Sequence, residues 1–175
     1  MTDSEAMTIV RGVLGKGLSA DQAEQMVSAM VPMTVTPGAI VLSEEEKPKG
    51  LLVLLSGTVE ILKQTPGGEL QPLLALEAPT VLGEVSLITD REPTATVRAK
   101  TACEFRLLTK RQFDRLIQSE SLAAYKVMHT LAEVLARRLH RMDEKVLELT
   151  QRHGASEPVE ELARFKQKLF SEWSF

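Results

Sequence analysis

The stretch from Met33 to Thr109 constrains the fold most. Short aliphatic and β-branched runs follow one another there: MTVT, AIVL, LLVLL, TVEIL, LQPLLAL, TATVRA and CEFRLL, divided by glycine, proline and charged clusters. These are the residue types that suit a pleated, half-buried surface, in runs of strand length. Their close spacing favours antiparallel strands in a sandwich or barrel over units in which a helix joins parallel strands. Ser56-Gly57 reads as a tight connection between LLVLL and TVEIL, and Pro66-Gly67-Gly68 as a hairpin tip.

Helical periodicity frames this region on both sides. Within residues 4–31, Met7, Val10, Val13 and Leu14 recur at helical spacing, and Ser19 is placed to cap a second short helix before Pro32 ends the regime. From Lys110 the helical period returns, first in KRQFDRLIQ and then in a long helix from about Leu122 to Thr150. The expected organisation is one domain over 1–150, with helices in 4–31, a β region over 33–109 and helices over 110–150.

Along the long helix, Met128, Ala132, Leu135, Leu139, Met142, Val146 and Leu149 alternate at spacings of four and three, the seam of a coiled coil. A homodimer is the expected consequence, with Arg138 and Asp143 placed to pair across a parallel arrangement. The same stripe could instead cover the domain's own core. Leu131 and Val134 lie off the seam and are expected against the β region. His153-Gly154 then interrupts the helix. Residues 154–175 read as an amphipathic helical tail with Leu162, Phe165, Leu169 and Trp173 on one side. That tail could fold back on the domain or dock on a protein partner.

Composition excludes several classes. With 43% hydrophobic and 26% charged residues and a net charge of −3, the 175 residues suit a soluble domain, not a basic nucleic-acid surface. No nucleic-acid partner is expected, because the residues after the long helix are too few for a helix-turn-helix. No apolar run approaches the ~20 residues that span a bilayer. The acidic start MTDSEAMTIVRG lacks the positive region of a secretory signal, so a cytoplasmic protein without membrane partners is expected. The single cysteine, Cys103, stands in a strand-like run and reads as a buried thiol. His129, His140 and His153 all fall in or after the terminal helix, away from the strands where a metal-binding barrel would need them. No metal site, nucleophile–base pair or other catalytic residue is expected, and the chain reads as a non-enzyme.

The order of motifs resembles the cyclic-nucleotide-binding domain family, whose members include effector domains of the catabolite-activator type. Pro37-Gly38 before a strand, LLVLLSGTVEIL, LGEVSLI, TATVRA and CEFRLLTKRQFDRLI running into ARRLHRMDEKV carry the resemblance, over roughly Leu18 to Leu149. It implies an α+β fold: an eight-stranded antiparallel, jelly-roll-like β-roll flanked by N-terminal helices and a long C-terminal helix. It also implies a ligand pocket inside the roll, with cAMP or cGMP as the ligand.

In that family the loop matching GEVSLITDREPTATVRA is a phosphate-binding cassette. The resemblance makes Gly83, Glu84, Val85, Ser86, Thr94, Ala95 and Thr96 the ligand-binding candidates. Gly83 would permit a close turn, the carboxylate of Glu84 would accept a ribose hydroxyl, and first-turn N–H groups would face the anion. Glu84 could equally cap a short helix. The departures bear on affinity. Pro93 stands where the family has its phosphate-pairing arginine and offers neither charge nor donor. Arg91 is a weak substitute, because Asp90 and Glu92 flank it as on a solvated loop. Arg98 should point away from the side that Val97 faces. Met142 and Asp143 stand where relatives read the base with hydroxyls, and Glu45 stands where the loop before LLVLL usually has glycine. Two functions follow as expectations: a regulatory module that senses a small ligand through hinge helices around Phe113 and Leu116, or a ligand-free dimerisation and interaction scaffold with a vestigial pocket.

Overall fold

A computed structural model describes residues 2–152 apart from 16, 48, 66 and 90; in the last helix only the backbone is described at 145–147 and 149–152. The expected tail over 154–175 lies outside the described residues. The elements are α1 (Asp3–Leu14), α2 (Ala20–Ala29), β1 (Val31–Val35), β2 (Ile40–Leu42), β3 (Gly50–Ser56), β4 (Thr58–Gln64), β5 (Leu70–Glu77), β6 (Thr80–Leu82), α3 (Glu84–Thr89), β7 (Thr96–Ala99), β8 (Cys103–Thr109), α4 (Lys110–Gln118) and α5 (Leu122–Arg152). The chain divides into two units, Met1–Leu131 and Ala132–Phe175.

Helix starts follow local chemistry. Thr2, Ser19 and Thr109 each accept a bond from the backbone N–H three residues on, and Glu5, Gln22 and Gln112 reach back to the cap. This reciprocal box satisfies donors that a helix start otherwise leaves open. Ser19 is thus the cap expected from the sequence, and α4 covers the expected KRQFDRLIQ.

Eight strands form two four-stranded antiparallel sheets, ordered β1-β8-β3-β6 and β2-β7-β4-β5. The fold is the expected α+β roll. Its interior holds Leu42, Leu52, Leu54, Val59, Leu82, Val97 and Phe105, contributed by both sheets. In β3, residues 50–55 are all buried, because Leu52 and Leu54 face that interior while α1 packs against the strand as well. Two covered faces explain why LLVLL lacks the polar alternation of a half-exposed strand.

The structure corrects the sequence reading at several points. The β region begins at Val31, not Met33, so Pro32 lies inside a strand and does not merely close a helix. It is tolerated because β1 is an edge strand paired only with β8. Pro72 sits in β5, the edge of the other sheet, beside a register shift between Ile61 and Leu62. β6 is absent from the runs visible in the sequence, being three residues long and held by pairing with β3. Ser56-Gly57 is tight, yet it joins strands of different sheets and makes no hairpin. Gly57 has φ +96°, and a Cβ there would lie 2.4 Å from the Ala102 carbonyl oxygen. Gly67 and Gly68 of the expected hairpin tip do sit between the paired β4 and β5, where Thr65 N–H donates to Glu69 O at 2.8 Å, while Pro66 lies outside the described residues.

Cys103 is buried on β8, as expected, with Sγ 3.3 Å from the Thr58 carbonyl. Leu131 is buried within the first unit, and Phe113 of α4 is buried as well. On the seam of α5, Met128 and Leu135 are half-buried and Ala132 is exposed, while Leu139 and Met142 are 57% and 61% exposed. The side chains of Val146 and Leu149 lie outside the described residues.

Candidate functional site

The sharpest backbone feature beside the roll is Gly83, between β6 and α3. Its φ is +77°, and a Cβ would stand 2.4 Å from the carbonyl oxygen of Gly50. Only glycine lets the chain turn from strand to helix against that backbone. Leu87 N–H donates to Gly83 O at 3.0 Å, and buried Leu87 anchors α3. Thr89 Oγ1 donates to Val85 O at 2.8 Å and accepts from Arg91 N–H at 3.4 Å, closing the other end.

Within this six-residue helix Glu84 and Ser86 are buried and Val85 half-buried. Two polar side chains are thus taken out of water in the first turn. Ser86 Oγ has no hydrogen-bond partner among the described residues. That hydroxyl is a candidate for a ligand contact, since protein interiors rarely leave such a group unmatched.

Past the helix the loop surfaces and returns. Arg91 and Glu92 are exposed, Pro93 is buried, Thr94 exposed, Ala95 half-buried and Thr96 buried. Arg91, Glu92, Pro93 and Thr94 border an open depression of about 610 Å³ together with Glu44. Arg98 bonds Glu60 at 2.6 Å across the β4–β7 pair while Val97 is buried, so the two face opposite sides as expected.

The cation beside the loop comes from elsewhere. Lys63, on β4, donates through Nζ to the Thr94 carbonyl at 2.8 Å and to Glu44 Oε2 at 2.5 Å. Glu44, in the loop after β2, also accepts from Gln64 N–H at 3.2 Å, and its own N–H donates to Thr96 Oγ1 at 3.4 Å. Burial opposes ionisation of Glu44, but the bonds from Lys63 and Gln64 outweigh it and hold the carboxyl below its ordinary value. Neither Glu44 nor Lys63 was among the site residues expected from the sequence, because nothing local links Lys63 to a carbonyl 31 residues away. Glu45 is exposed and accepts from Gln64 Nε2 at 3.3 Å. The expected base readers both lie in the second unit, with Met142 exposed and Asp143 half-buried.

The family model of the cyclic nucleotide-binding domain matches residues 32–120, a span that contains the Gly83 turn, α3 and the loop into β7. The chain belongs to the cyclic nucleotide-binding domain family. Among its relatives, the rice potassium channel AKT2 (Oryza sativa subsp. japonica) is 30% identical over 115 residues, 65% of this chain and 14% of the channel. The cAMP-activated global transcriptional regulator CRP of Salmonella typhimurium is 30% identical over 135 residues, covering 77% of this chain and 62% of the regulator. This chain therefore spans a small part of the channel and under two thirds of the regulator. A solved cyclic nucleotide-binding domain from Methylobacillus flagellatus superposes with a TM-score of 0.75 at 23% identity, over 85% of this chain and 84% of that one. Among the described residues, no helix is long and apolar enough to cross a membrane, and no group of three His, Cys, Asp or Glu could hold a metal ion.

Proposed function

We propose that the chain is a non-enzymatic regulatory module that senses a small ligand in its roll, a cyclic nucleotide held weakly, and relays binding through its C-terminal helices. The observation that carries this reading is the polar first turn of α3. Glu84 and Ser86 are buried beneath a glycine turn, and Ser86 Oγ lacks a partner among the described residues. A buried hydroxyl left unmatched costs about 1–3 kcal/mol, which a polar ligand would relieve. A pocket that had lost its ligand would be free to replace the unmatched Ser86 hydroxyl with an apolar group.

The weakness follows from position 93. A charge-assisted bond to phosphate contributes about 1.5–3 kcal/mol, one to two powers of ten in affinity. Proline supplies none of it, Arg91 is exposed, and Lys63 is already tied to Glu44. cAMP is the first ligand to test, because the related Salmonella regulator is named as cAMP-activated. The exposed Leu139 and Met142 support a homodimer through the α5 seam. A cytoplasmic module acting without membrane or nucleic-acid contacts is consistent with its mild negative charge.

Calorimetric titration with cAMP and cGMP tests the reading. An arginine at 93 would border the depression that Glu44 also lines, so Pro93→Arg is compared with Pro93→Arg/Glu44→Gln. Weak native binding, tightened at least tenfold in one of the two variants, is the expected result. Native binding tighter than micromolar would refute the role given to Pro93. If none of the three proteins binds, the second reading holds: a ligand-free dimerisation and protein-interaction scaffold with a vestigial pocket. Burial of Pro93 at the anion position favours that second reading.

A further inference from the structure

Arg106 lies on β8 between Phe105, a core residue of the roll, and Leu107, which packs against that core, so alternation turns it to the outer face of its sheet. It pairs with Pro32 of edge strand β1 on one side and Val53 of β3 on the other. The residue is only 7% exposed. Its Nη2 bonds the carboxylate of Asp3 in the first turn of α1, while its Nε has no hydrogen-bond partner among the described residues. The Asp3 side chain is 85% exposed. A buried cation is thus capped by one solvent-facing carboxylate, with its Nε left without a partner among the described residues. Such an exposed partner holds weakly, since water competes for it, whereas a buried guanidinium gains from every acceptor that meets one of its N–H groups.

A groove of about 370 Å³ opens at this point, lined on its apolar side by Met7, Val27 and Met30 and bordered by Glu24. Its volume is in the range of small-ligand sites. Planar guanidinium geometry favours a carboxylate that takes two adjacent N–H groups at once. Glu24 disfavours a second negative charge.

We propose that this groove binds a monocarboxylate with a short apolar body. The carboxylate displaces Asp3 and bonds Nε and Nη2 of Arg106 side by side, and the apolar body lies along Met7, Val27 and Met30. The site is on the opposite face of the sheet from the roll interior and does not depend on cyclic nucleotide binding.

Titration of the ¹⁵N-labelled full chain with sodium hexanoate, followed by amide NMR, tests it, with hexanol as the uncharged control. The expected result is saturable hexanoate shifts in α1, α2, β1 and β8, with hexanol at least tenfold weaker. Asp3→Asn removes the competing carboxylate and should tighten hexanoate by roughly threefold, as expected for loss of an exposed ion pair. Arg106→Gln should abolish binding. Asp3 is exposed, so Asp3→Asn keeps the fold and decides the matter even if Arg106→Gln unfolds. Absence of saturable shifts, shifts located in residues 83–97, equal binding of hexanol, or unchanged affinity in Asp3→Asn would each overturn the proposal.

Discussion

Gly83→Ala puts the cassette geometry to a quantitative test. The new Cβ would enter 2.4 Å from the Gly50 carbonyl oxygen and 3.7 Å from Leu42 Cδ1. The blocking atom is backbone and has little room to retreat. Gly50 is itself pressed against β8, where a Cβ on it would lie 2.2 Å from the Leu108 carbonyl oxygen. Forcing atoms into a packed site costs about 1–3 kcal/mol. Holding alanine at φ +77° adds about 1 kcal/mol, for a total of about 2–4 kcal/mol. Gly38→Ala is the matched control, with φ +86° and no heavy atom within 4 Å of its Cβ, so it should lose only the conformational part. Equilibrium urea unfolding reads both. With a slope of about 2 kcal/mol per molar, Gly83→Ala should lower the midpoint by about 1–2 M and Gly38→Ala by about 0.5 M. Equal midpoints for the two variants would show that the Gly50 carbonyl moves aside, and the close approach would lose its claim to hold the turn.

The ion pair beside the cassette and the seam of α5 make two further predictions. Glu44 titrates below its ordinary 4.5 in the folded protein, so its contribution is fully present above that value and fades as pH falls through the folded one. Glu44→Gln should therefore be less stable than the native chain near neutrality, with the gap closing below about pH 4.5 in urea unfolding series; a gap that does not change with pH would refute the assignment. Leu139→Glu places a charge in the proposed seam, where it is predicted to convert a dimer to a monomer by light scattering; an unchanged mass would remove the seam as the contact.

Much of the architecture is legible before folding because its causes are local. A hydroxyl with Glu or Gln three residues on, directly ahead of an amphipathic helical run, marks a helix start, and paired glycines between two strand-length runs mark a turn. The α4 boundaries and the hairpin tip between β4 and β5 therefore coincide with the sequence reading. Gly83 also carried its meaning locally, since a glycine between a strand and a short helix signals a position other residues cannot adopt. β6 escaped notice because its three residues have no periodicity of their own and exist as a strand only beside Leu52, Val53 and Leu54.

What the sequence alone determined is the order of the elements apart from β6, the family, and the proline at position 93 of the loop between β6 and β7. Tertiary structure decided which residues surround that proline. Gly57 sends β3 and β4 into different sheets, and that switch, with the pairing of β4 to β7, carries Lys63 to the Thr94 carbonyl and to Glu44. The pairing of β1 with β8 and the packing of α1 likewise bring Arg106 to Asp3, 103 residues away in the chain. Local propensity acts over a few residues, whereas these contacts depend on which sheet each strand joins and in what register, a choice made by burial of the whole core.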